Sequence, residues 1–292
     1  MSTPTTPSTP YAAPQQPPAA HDRPAGPGAY TSPIPVRRAH LGDALASEWT
    51  KIRSVRSTMW TLGVMVLLMA GIGLASAAII ASSDTEQPRP EEALSFGFFG
   101  VLLSTICVIT LGVLTIASEY GTGMIRTTMT ACSSRNRVLA AKAIVFFALV
   151  LVLTTVLAAL VGALQLGILG IDSPRGSQWF KATVGVGLFV ALLGLVGLAV
   201  GTLVRHSAGA ITIMIGIVLL PLVLAMFMFS DSLKDVQQAL FEYSIPSQLA
   251  VLYDTSVAGG SGPSGWDPLW IMGLIAAVAL GGAFLTLNNR DV

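Results

Sequence analysis

From residue 60 onward, long apolar runs alternate with short polar breaks. The runs cover roughly 60–80, 96–117, 143–170, 182–204, 209–230 and 268–287, and none contains Asp, Glu, Lys, Arg or His. Each approaches or exceeds the ~20 residues that a helix needs to cross a hydrocarbon core. The pattern predicts an all-α, polytopic membrane protein with six transmembrane helices. Pro221 falls inside the fifth run, where a kink is expected rather than an end. Gly162, Gly167 and Gly170 blur the outer end of the third.

Two different patterns precede the first run. Residues 1–36 hold ten of the seventeen prolines among Ser, Thr, Ala and Gly. Such a stretch cannot bury enough apolar area to offset its ordering entropy, so a disordered arm is expected there. Residues 37–59 are expected to contain an amphipathic interfacial helix. Leu41, Leu45, Trp49, Ile52 and Val55 recur at helical spacing, and Asp43, Lys51 and Arg53 fall mainly elsewhere on the wheel. This suits a helix lying in the membrane interface with Trp49 at headgroup level and its basic residues toward anionic lipid. A plain basic flank that only fixes topology is the alternative.

Charge decides orientation. With the N-terminus inside, the inner segments hold twelve of the sixteen Lys and Arg, and the outer loops only Arg89, Arg175, Lys181 and Lys234. That bias predicts a multi-pass cell-membrane protein with both termini cytoplasmic. Charged residues are only 11% of the chain and the net charge is +1, too little basic field to suggest nucleic acid as a partner.

Candidate chemistry is sparse. No lysine closes a Gly-rich phosphate loop, so ATP hydrolysis through such a loop is not expected of this chain. His21, His40 and His206 lack neighbouring ligands, and Cys107 and Cys132 lack metal-ligand spacing, so no metal or cofactor site is expected. Gly259-Gly260-Ser261-Gly262 reads as a flexible outer loop rather than a nucleophile site, because no histidine follows to act as base. Ion-coupled carriers place ionisable groups at membrane depth, and the six runs supply none. Energy for any uphill transport is expected to come from outside the chain.

The sizeable inner loop is 118–142. Gly121 and Gly123 are expected to break the end of span two, and Thr122 or Thr127 to cap a short transverse helix. Ser133 or Ser134 can cap the start of span three. Met124, Ile125 and Met129 would then be exposed at the tip, either as a docking surface or as contacts to lipid headgroups. In span four, Gly187, Gly194, Gly197 and Gly201 permit close helix approach, within one subunit or at a dimer seam.

The segment SEWTKIRSVRSTMW before span one, with ASEYGTGMIRTTM and RNRVLAAK between spans two and three, resembles the permease subunits of ABC-2 type exporters in their actinobacterial form. The resemblance covers about residues 41–292 and implies a six-span domain over 60–292. It further implies that the helix before span one is a connecting helix and that 118–142 is a coupling loop docking on a separate ABC ATPase. Glu119, Gly121, Gly123, Arg126 and Thr127 match the loop pattern. A second permease copy would complete the pathway, with ATP and Mg held by the ATPase and no cofactor in this chain. The family also implies short hydrophobic re-entrant helices between spans five and six, whereas 231–247 reads as an amphipathic helix bearing Leu233, Val236, Leu240 and Tyr243 on one face. That leaves the outer loop 231–267 as a departure. The expected function is the membrane-spanning permease of an ABC exporter; a secondary carrier or channel and a non-transporting scaffold or immunity protein are the rivals.

Overall fold

The computed structural model describes residues 40–83, 88–131, 134–255 and 262–289. The Pro-rich arm, Cys132, Ser133 and Gly259–Ser261 lie outside the described residues, as do the side chains of Arg126 and Met129.

Helix α1, Leu41–Ser54, opens with the His40 amide donating to Asp43 Oδ2 at 2.9 Å, and Lys51 and Arg53 occupy its last turn. Acid at the start and base at the end both complement the helix dipole. Val55 is extended, and the chain turns directly into α2, Arg56–Ala81. On α2 the buried residues are Met65, Met69, Gly73 and Ala77, one stripe at intervals of four, and most of the remaining surface is apolar and uncovered. That division is what a peripheral span facing lipid requires.

A one-turn helix α3, Pro90–Ala93, and a 3₁₀ turn lead into α4, Phe98–Thr122. Only Gly123 ends it, at φ 73°, while Gly121 is part of its last turn. The short α5, Met124–Ala131, follows, then α6, Arg135–Leu169. At 35 residues, or about 52 Å, α6 is far longer than a bilayer core, and its first two turns carry Arg135, Arg137 and Lys142. Helix α7, Gly176–Phe180, passes through a π turn, Lys181–Gly185, into α8, Val186–Val204. His206 Nδ1 accepts the Gly209 amide at 3.1 Å and starts α9, Ser207–Met226, which continues through Pro221.

The fifth span therefore stops at Met226 rather than 230, and the segment beyond it corrects the expectation of one amphipathic helix over 231–247. A 3₁₀ turn and α10, Lys234–Glu242, leave Leu233, Val236 and Tyr243 exposed. A separate helix α11, Ile245–Val251, is buried along most of its length against α4, α9 and α12. Ser244 Oγ accepts the Ser247 amide and Pro246 stands in the first turn, two strong helix-start signals. A short hydrophobic helix thus does lie between spans five and six. Helix α12, Asp267–Asn289, is the sixth span.

Span four is the centre of the described bundle. It packs most extensively on α4, then on α12 and α6, with 78% of its most apolar stretch buried against 17% for α12. Glycine makes this possible. A Cβ on Gly112 of α4 would run into the Gly194 carbonyl, one on Gly201 would meet the Val113 carbonyl at 3.0 Å, and one on Gly197 the Ile109 carbonyl at 3.1 Å. The small residues of span four are consumed by contacts within this chain.

Candidate functional site

The densest polar chemistry lies where α1, the end of α4 and the start of α6 meet. Lys142, only 1% exposed, donates to Glu48 Oε2 at 2.8 Å and to Glu119 Oε1 at 2.6 Å. Lys51 donates to Glu48 Oε1 at 2.8 Å and to the same Glu119 Oε1 at 2.9 Å. Two carboxylates and two ammonium groups form a neutral ring whose members come from three helices. Burial works against the Lys51 ammonium, but the hydrogen bonds and charges of Glu48 and Glu119 outweigh it and hold Lys51 above the ordinary lysine value of 10.5. Glu119 Oε2 is buried with no partner among the described residues, so the whole ionic attachment of that carboxylate passes through Oε1.

Local sequence explains how each member arrives. Glu48 and Lys51 are three residues apart and share one helix face. Glu119 is one turn from the Gly123 stop of α4, and Lys142 projects from the long α6 two turns past its start. A cavity of about 290 Å³ adjoins the cluster between α1, α2 and α4, bordered by Glu48, Lys51, Leu114, Ser118, Glu119 and Met124.

The structure divides the residues expected to act together. Of the α1 stripe, Ile52 is buried, Leu45 is half-buried, and Leu41, Trp49 and Val55 are exposed. The face turned to the protein is that of Ile52 and Glu48, so α1 docks through a charge as well as through apolar side chains. In the loop, Met124 is 48% exposed, but Ile125 is only 3% exposed. This corrects the expectation of an exposed Ile125: α5 packs against α4 and α6, and Ile125 faces inward. Thr127 does not cap α5, because its hydroxyl donates to the Met124 carbonyl at 2.8 Å from within the helix. Thr122 likewise bonds back to Ser118, and Ser134 takes the start position of α6 without a side-chain cap. Glu119 belongs to the ring, whereas Gly121 and Gly123 shape the chain beside it.

Glu48, Lys51 and Lys142 were not singled out as partners in the sequence, and no local pattern could have joined them. Lys142 is 94 residues from Glu48, and Lys51 is 68 from Glu119. The available signal was four charges in three segments flanking apolar runs, Glu48 and Lys51 before span one, Glu119 after span two and Lys142 before span three, which reads equally well as topology-setting charge. Two further ties close the same end of the bundle. The Arg205 guanidinium stacks over Tyr120, 5.1 Å from the ring centroid, and an Arg135 guanidinium nitrogen donates to the Leu287 carbonyl at 3.2 Å.

Comparison with known proteins gives one family. The family model described as "ABC-2 family transporter protein" matches residues 44–223, from α1 through most of span five. No curated protein sequence matches the chain significantly.

Proposed function

The chain belongs to the ABC-2 family of transporter proteins and is a membrane permease of an ABC transporter, and from that premise we propose that it works as an exporter driven by a separate ATPase on which α5 docks. The observation that carries this reading is the ionic ring. It ties α1 to the two helices that flank α5, so a displacement of α5 is passed to spans two and three and to α1 together. A secondary carrier would not need such a joint between a short loop helix and the span bases. Orientation is part of the proposal: both termini and α5 are cytoplasmic, as the distribution of Lys and Arg favours.

ATP and its Mg belong, in this reading, to the ATPase, and two permease copies enclose the pathway. Closure of the ATPases moves α5, the ring carries that motion into the span bases, and access alternates between the two sides. Met124 is the exposed contact on α5, and Arg126 and Met129 share that helix. Ile125 holds α5 to its own subunit.

The test is co-purification and ATP hydrolysis in nanodiscs. Met124→Asp combined with Met129→Asp should leave a correctly inserted permease that no longer retains or stimulates its ATPase, because burying uncompensated charge opposes docking. Unchanged retention and stimulation would remove α5 from the coupling role and favour a carrier or scaffold.

A further inference from the structure

We propose that the groove between α1 and α6 is a binding site for one anionic phospholipid of the leaflet that α1 faces, with an acyl chain along α6 and the headgroup at Arg53. The groove, about 650 Å³, has Leu45, Ala46 and Trp49 on its α1 side and extends over residues 144–153 of α6, with Ala148, Leu149 and Val152 on its floor. Every side chain named is apolar. At 1.5 Å per residue the α6 side runs about 13 Å along the helix, starting where the uncharged part of that span begins. A cleft at that depth reaches hydrocarbon, where an acyl chain can fill it and water cannot.

Charge identifies the headgroup. At about 100° per residue, Arg53 falls between Trp49 and Ala46 around α1, on the arc that borders the groove. Arg53 is exposed and makes no ion pair among the described residues, because Lys51 takes Glu48 and Glu119, and Asp43 bonds the His40 amide. The Trp49 indole, 44% exposed at the mouth, suits the headgroup boundary. An ATPase lies outside the bilayer and cannot reach as deep as Val152. A second copy of the chain would have to bring an acid to Arg53 within a seam otherwise apolar, whereas a phospholipid brings the tail and the anion in one molecule.

This inference rests on the membrane placement of α1 proposed above but not on coupling to an ATPase. Its test uses the full chain in phosphatidylcholine nanodiscs containing a trace of phosphatidylglycerol with a diazirine at mid-chain, with labelled peptides mapped by mass spectrometry. Label should concentrate on residues 45–49 and 144–153. Unlabelled phosphatidylglycerol should compete about five-fold better than phosphatidylcholine, the preference that one arginine near the surface supplies. Arg53→Gln should abolish that preference and leave the labelled positions unchanged. Ala148→Phe and Val152→Trp, both at exposed positions, should each clear label from the groove and leave it on α2. Label spread evenly over the lipid-facing spans, equal competition by the two lipids, or label that survives both groove-filling variants would overturn the proposal. A disulfide between two copies through Ala148→Cys would place a second copy in the groove and overturn it too. Unchanged ATPase retention in the α5 double variant, with the groove label intact, would count against the coupling reading alone.

Discussion

Lys142 is the residue on which the end of the bundle at α1 depends most, because its ammonium touches carboxylates from two other helices in a setting almost closed to water. Lys142→Met would leave Glu48 and Glu119 facing only Lys51, one uncompensated negative charge beneath α1. Removing one partner of a buried pair costs about 3–5 kcal/mol, so a loss of that order is expected in unfolding of the detergent-solubilised protein. Adding Glu119→Gln to the same chain should recover part of it, since the remaining charges then balance. A smaller effect belongs to Lys51, whose proton is held more tightly in the folded chain than in the unfolded one. A raised value means that its contribution is complete below the ordinary 10.5 and declines as pH climbs through the folded value. Thermal stability scanned upward from pH 9 should therefore fall at the alkaline end, and Lys51→Met should shrink that fall.

Among elements, the contact of α4 with α8 is set by main chain against main chain. Gly112→Ala puts a methyl against the Gly194 carbonyl, and neither backbone can rotate away as a side chain would. Overpacking of this kind costs about 1–3 kcal/mol and should appear as a lower melting temperature, while Gly216→Ala and Gly273→Ala, with open space around them, should not. The element level also shows what the sequence could and could not disclose. Apolar runs located all six spans, because a membrane leaves length and hydropathy as nearly the whole signal. They left out the eight residues that begin α6, since Arg135, Asn136 and Arg137 have no place in a hydrocarbon core, and the start of that helix was legible only from Ser134, which takes the N-cap position though without a side-chain hydrogen bond. They missed α11 because seven residues with Pro246, Ser247 and Gln248 carry no periodicity that separates a buried helix from a loop. The ring was hidden for a third reason: its helices are joined only by folding.

For the whole molecule, the proposed topology can be checked by impermeant thiol labelling in a chain freed of Cys107 and Cys132. A cysteine at Ser173, exposed between spans three and four, should react from outside intact cells, and one at Asn136, exposed at the start of α6, only after permeabilisation. The reverse result would invert the molecule and move α5 away from any cytoplasmic ATPase. The central position of span four has a consequence of another kind, for how the chain tolerates change. Spans one, five and six have only 22%, 22% and 17% of their most apolar stretches covered by protein, so most positions there are judged by lipid, which accepts any apolar side chain. Span four is judged by its neighbours' backbones. A saturation mutagenesis of the spans should accordingly sort by polarity on the outer helices and by volume on span four, where valine at Gly194 would be rejected as firmly as lysine.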